Sequence, residues 1–123
     1  MEATKINTQA IAKDAVERFL DRRGCEILQR DCEYEEGHFD LVVREDEALV
    51  FVRIKASTSP QQGFPKCSVT ALDRERFEAI ATRYLLEHPG IAECDVRCDE
   101  VGVMPLDMGR AILRRHINVF GKE

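Results

Sequence analysis

The chain has 123 residues, with 18 Lys and Arg against 23 Asp and Glu, a formal net charge of −5, and 44% hydrophobic and 33% charged residues. This length suits one core and one domain spanning residues 1–123. No apolar run approaches the roughly 18 to 20 residues that cross a bilayer, and the opening Met-Glu-Ala-Thr-Lys has no apolar signal core, so a cytoplasmic protein without membrane contact is expected. The acid excess argues against a nucleic-acid binder, which gains from counterion release on a basic surface. The basic clusters Arg22-Arg23 and Arg114-Arg115-His116 read as solvated faces or helix-dipole partners. Cys25, Cys32, Cys67, Cys94 and Cys98 are an odd set without a Cys-x-x-Cys pair, which predicts reduced thiols. Cys94 and Cys98 could ligate a metal with His88 or His116, but half-buried small residues are the simpler reading.

In chain order, Ile11, Ala12, Ala15, Val16, Phe19 and Leu20 form the stripe of an amphipathic helix over Thr8 to Arg23, capped by Thr8 or Asn7 and ended by a left-handed Gly24. Cys25 to Tyr34 reads as a strand with imperfect alternation, and Glu35-Glu36-Gly37 as the turn that follows. Gly37 to Lys55, GHFDLVVREDEALVFVRIK, holds two apolar runs separated by Arg44-Glu45-Asp46 and predicts a β-hairpin. Its polar interruptions are Asp40, Arg53 and Lys55, and alternation puts Arg53 and Lys55 on the face of Leu49 and Phe51. Ala56 to Ser68 reads as a long loop or flap. Leu72, Phe77, Ile80, Ala81, Tyr84 and Leu85 predict a second helix over Thr70 to Glu87, stopped by His88-Pro89-Gly90. Glu93 to Val103 predicts a strand reached by a crossover from the central sheet, and Ile112 to Phe120 closes the chain. These elements imply an α/β (α+β) fold, a mixed sheet of about four to five strands flanked by helices.

Asp on one strand and charged-x-Lys at the end of the next resembles the layout of restriction-endonuclease-like nucleases. The flanking residues GHFDLVV and LVFVRIK resemble the GEIDLI and LVFVEVK motifs of the YraN-type family of small bacterial endonuclease-like proteins. The resemblance runs nearly end to end: AKDAVERFLDRRGCEILQRD, VTALDRERF, VRCDEVGV and ILRRHINVF follow the family's opening, second-helix, late-strand and closing motifs. It implies a divalent-metal site in which acids hold Mg²⁺ or Mn²⁺ and Lys activates water. Asp40 and Lys55 stand at matching positions, whereas His38 and Arg53 replace two glutamates of the pattern, Lys13 replaces another, Asp73 replaces a lysine, and Glu100 replaces an apolar residue.

Mg²⁺ and Mn²⁺ take oxygen ligands, and Asp40 alone is a thin set. The exchanged charges suggest that an Arg53 to Asp40 ion pair, with Asp73 and Lys13 nearby, replaces the metal. Three readings follow. The favoured one is a catalytically inactive nuclease-fold binding or scaffolding module with no cofactor, its partner DNA or a DNA-processing protein. The second is a Mg²⁺- or Mn²⁺-dependent endonuclease that recruits Glu17, Glu33, Glu35 or Glu36 to complete the site around Asp40. The third is a protein-interaction module that pairs through a sheet edge or the C-terminal segment. His38 beside Asp40 could ligate a softer metal or act as a base, but reads more simply as a partly exposed strand start.

Overall fold

The computed structural model describes residues 2–91 and 94–121, with side chains from Thr8 onward. The elements run α1 (Glu2–Arg22), β1 (Glu26–Tyr34), β2 (Gly37–Glu45), β3 (Ala48–Ala56), α2 (Ala71–Glu87), β4 (Asp95–Pro105) and β5 (Ala111–His116), with short 3₁₀ turns at Pro60–Gln62 and Asp107–Gly109. The five strands form one sheet in the order β1-β2-β3-β4-β5. Pairing is antiparallel except between β3 and β4, which run parallel over nine residue pairs because α2 forms the crossover between them. This is the mixed α+β sheet that the sequence predicts.

Strand alternation divides the sheet's side chains between two cores. On one face Leu41, Val43, Val50, Val52, Val101 and Val103 pack under Ala12, Val16 and Leu20 of α1. On the other, Val42, Leu49, Phe51 and Cys98 pack under Phe77, Ile80, Ala81 and Tyr84 of α2. Phe51 meets Phe39, Phe77 and Tyr84 edge-on at centroid distances of 5.5 to 5.8 Å.

Helix ends follow their local chemistry. Gly24, at φ +84°, closes α1, with the Gly24 N–H on the Asp21 carbonyl and the Cys25 N–H on the Leu20 carbonyl, a Schellman arrangement. The start of α1 departs from the expectation: the helix runs from Glu2, so Asn7 and Thr8 lie inside it and not at its start. No Gly or Pro interrupts residues 2–23, so nothing in this stretch halts the helix at Thr8. At α2, Thr70 accepts from the Asp73 N–H at 3.1 Å while the Asp73 carboxylate accepts from the Thr70 N–H at 3.0 Å, a capping box.

The hairpin of β2 and β3 is present, but Arg44 and Glu45 belong to β2, and the turn is Asp46-Glu47 with Asp46 at φ +54°. β1 carries a register break between Ile27 and Gln29, and Asp31 sits at φ +54°, which accounts for its imperfect alternation. The Ala56 to Ser68 stretch packs against the sheet: Phe64 lies under the Arg114 guanidinium at 4.3 Å, and a Cβ added at Gly102 would lie 3.5 Å from Pro65. β4 is described from Asp95, and Glu93, the first residue expected in it, lies outside the described residues.

The basic run Arg114-Arg115-His116 is on a strand, and its middle member is half-buried and paired with two carboxylates, which corrects its reading as a solvated face. Asp99, fully buried, accepts from Arg97 at 3.0 Å, from Arg115 at 3.0 Å and from the Asn118 N–H at 2.9 Å, while Glu45 accepts from both arginines at 2.6 Å. This network ties β2, β4 and β5 to the C-terminal segment. Each guanidinium and carboxylate in it has a partner, as buried charge requires.

Candidate functional site

The sheet forks at Asp40. β2 and β3 are paired from Glu45↔Ala48 to Leu41↔Val52, and beyond that point Gly37 to Phe39 remain matched to β1 while Arg53 to Ala56 remain matched to β4. The pleat breaks at the same place, for Phe39 packs into the α2 core and Leu41, two residues on, into the α1 core. Asp40 bridges the fork: its carboxylate accepts from the Ile54 N–H at 2.7 Å, standing in for the acceptor that a paired strand would supply. A cleft of about 140 Å³ opens there, lined by Gly37, His38, Phe39, Arg53, Asp73, Arg76 and Ile80.

Arg53 and Lys55 project from β3 on the α2 face, as alternation predicts, since Leu49 and Phe51 lie in the α2 core. Among the described residues Arg53 forms no ion pair with Asp40, which corrects that expectation. Its guanidinium lies 3.8 Å from Asp73 and 3.9 Å from Glu100. The parallel register sets Arg53 beside Glu100, and the capping box holds Asp73 at the start of α2, so both carboxylates reach it from fixed backbone. The second carboxylate oxygen of Glu100 lies 3.6 Å from the Lys55 ammonium. Glu100 is 1% exposed, and its Oε1 has no hydrogen-bond partner. Hydrogen bonds from the Thr70 backbone and hydroxyl, with Arg53 adding, hold the Asp73 carboxyl below the usual range. Burial, then Glu100, push the Cys67 thiol up, so the folded-back loop brings a neutral thiol to this cluster. Cys98 beneath it is raised to about 12 by burial.

Glu100 is the residue that the sequence reading missed. Its signal is a second acid next to Asp99 in VRCDEVGV, at a position where the resemblance implies an apolar residue. The acids expected to complete a metal set go elsewhere. Glu17 binds Arg30 at 2.9 Å, Glu35 and Glu36 lie 3.7 and 3.4 Å from Arg83, and Glu33 is exposed opposite His38 on β1.

His38 lies at the cleft's outer rim. Its Nε2 is 3.2 Å from Asp31 Oδ1, the oxygen that also takes the Lys13 ammonium at 3.2 Å, and these contacts, Lys13 first, hold the Asp31 carboxyl below its usual range. Asp31, His38 and Asp40 each offer a ligand-capable atom within 4.8 Å of the others. Lys13 is therefore placed at Asp31, and only Asp73 of the two further exchanged positions joins Arg53. Among the described residues, Cys94 and Cys98 form no metal-ligating group of three with His88 or His116.

A forked mixed sheet with a charged cleft between its arms and one helix on each face defines a small α+β protein whose site lies at the ends of β2 and β3. Its family follows from comparison. Residues 12–103 match the family model described as Uncharacterised protein family UPF0102, and the chain belongs to that family, the YraN-type family. It is similar to a UPF0102 protein of Beutenbergia cavernae, 38% identical over 94 residues, 76% of this chain and 79% of that protein. A UPF0102 protein of Desulforapulum autotrophicum is 31% identical over 103 residues, 84% of each chain, and one of Dechloromonas aromatica is 34% identical over 88 residues, 72% and 71% of the two. Among the described residues no helix is long and apolar enough to cross a membrane.

Proposed function

We propose that this chain is a nuclease-fold protein that does not hydrolyse phosphodiesters and serves as a binding or scaffolding module. One observation carries the reading: the Arg53 guanidinium, at the strand position where the resemblance implies a metal-ligating acid, is bracketed by Asp73 and Glu100. The residues of the cleft do not fit Mg²⁺ or Mn²⁺, which prefer several oxygen ligands. Asp40 is committed in part to the Ile54 N–H, and the carboxylate of Glu100 is already shared between two cations. A divalent ion about 4 Å from the guanidinium would be repelled by roughly 8 kcal/mol at an effective dielectric of about 20. The net charge of −5 favours a protein over a nucleic acid as the partner.

The second reading, a metal-dependent endonuclease with a rearranged site, draws on the grouping of Asp31, His38 and Asp40. That set includes neither Lys55 nor Glu100, and Lys13 holds its Asp31 oxygen. The test is incubation of the full chain with duplex, single-stranded and branched DNA in millimolar Mg²⁺ or Mn²⁺. No cleavage is expected, and metal-dependent cutting that Asp40→Ala abolishes would overturn the proposal.

A further inference from the structure

We infer that the groove between α1 and β5 is a docking surface for an extended acidic segment of a protein partner, added as a strand at the free edge of β5. The inference extends the reading of this chain as a binding module to a different face, and the cleft around Arg53 takes no part in it.

The groove measures about 380 Å³ and has two kinds of wall. Its floor is apolar, from Ala15 and Phe19 of α1, Leu106, and Ala111 and Leu113 of β5. Its rim is cationic, with Arg18, Arg22 and Arg110. Among the described residues the carboxylate partner of Arg18 is the exposed i,i+4 Asp14, and Arg110 donates to the Asp107 backbone carbonyl. Among the described residues neither Arg22 nor Arg110 has a carboxylate within 4.0 Å, and both are exposed. In a chain with an acid excess of five, guanidiniums gathered around one apolar floor make a local field of opposite sign.

The backbone supplies the second half of the argument. Among the described residues β5 pairs only with β4, so its outer edge presents a six-residue strand without a strand neighbour. β1, at the other edge, is interrupted by its register break and by the left-handed Asp31, which make it a poor template. The approach to β5 is also apolar: Met108 is 93% exposed in the turn before it, and Ile112 is 44% exposed on it. An added strand would turn every second side chain to the α1 face, where apolar groups would meet Phe19 and Leu113 and carboxylates of the same row would meet Arg22 and Arg110. A second copy of this chain is a worse occupant, because β5 laid against β5 would bring Arg110 and Arg114 of both copies to one edge. A nucleic acid would match the rim but leave the floor uncovered.

The test uses the full chain and a fluorescein-labelled dodecapeptide whose odd positions run Glu-Leu-Leu-Glu-Leu-Glu and whose even positions are Thr, with the matching Lys-Leu peptide of equal length and single-stranded DNA as comparisons. Saturable anisotropy is expected for the Glu-Leu peptide alone, with amide shifts in ¹⁵N-labelled protein confined to residues 15–22 and 106–116. Arg22→Glu combined with Arg110→Glu should weaken binding at least about tenfold while Arg22→Lys combined with Arg110→Lys retains it. Absence of saturation up to about 1 mM peptide overturns the inference, as does equal binding by the charge-reversed protein. Binding of the DNA with the same shifts would make the groove a nucleic-acid site, and a dimer whose contact protects β5 would make it a self-association surface. Either result also overturns the inference, and none of these outcomes bears on the cleavage assay.

Discussion

Neutralising Glu100 is the perturbation that the cleft's architecture makes most informative. Its carboxylate is buried, 3.9 Å from Arg53 and 3.6 Å from Lys55. At an effective dielectric of about 20, each cation attracts it by roughly 4 to 5 kcal/mol, while bringing the carboxylate out of water costs several kcal/mol. The intact cluster is therefore close to neutral in net stability, but a cluster missing one member is not. Glu100→Gln keeps the shape and leaves two cations side by side. Arg53 retains Asp73, and Lys55, about one-third exposed, recovers some hydration, so the loss should be about 2 to 3 kcal/mol, at or just below the range for a broken buried pair. Arg53→Met, which leaves Glu100 with Lys55 alone, should cost about 2 to 4 kcal/mol. The double variant should lose at least about 1 kcal/mol less than the sum, because only one-sided removal strands a charge. Urea unfolding at neutral pH, with equal m-values required of all four proteins, measures the cycle. Single effects below about 0.5 kcal/mol, or strict additivity, would show that Arg53 and Glu100 are not energetically coupled.

Two further outcomes follow from other contacts. Thr70→Ala removes the side-chain acceptor of the α2 capping box and should lower stability by about 1 to 2 kcal/mol in urea titrations; an effect below about 0.3 would mean that the box is not formed in solution. Hydrogen bonding from Arg115, with Arg97 adding and burial opposing, holds Glu45 below its ordinary value of 4.5, so its contribution is complete above that value and is lost as pH falls through the depressed folded value. Unfolding midpoints measured from about pH 6 to pH 3 should therefore drop more steeply for wild type than for Glu45→Gln, and parallel curves would contradict this assignment.

What was legible in the sequence was local. The stripe Phe77, Ile80, Ala81 and Tyr84 marks the buried face of α2, and alternation in HFDLVV and ALVFVRIK marks the hairpin, because periodicity and core-facing position are the same quantity in a regular element. The Arg53 to Asp73 proximity was also foreshadowed by the exchange of charge at both positions. What stayed hidden depends on register between distant segments. Arg53 meets Glu100 only because β3 and β4 run parallel in one alignment across the α2 crossover, and one residue of slip would put Glu100 on the opposite face. Asp40 looks like a partner for Arg53 if β2 and β3 are continued as a regular ladder, but the pairing ends at Leu41 and the carboxylate turns to the Ile54 N–H. The Glu45, Arg97, Asp99 and Arg115 network is similarly non-local, its only sequence signal being charged residues inside VRCDEV and ILRRH.

The central claim is that Arg53, held by Glu100 and Asp73, stands where the family's pattern places a metal ligand. Arg53→Glu combined with Glu100→Val restores two positions of that pattern, an acid two residues before Lys55 and an apolar residue at the paired position of the neighbouring strand. Thermal unfolding of wild type and of this double variant, each with and without millimolar Mn²⁺, tests the claim most directly. If the metal binds the folded variant, a concentration of about 100 times Kd adds about 2.7 kcal/mol and raises Tm by several degrees, with little change in wild type. Equal shifts in the two proteins would mean that the ion does not sense position 53, and would contradict the account.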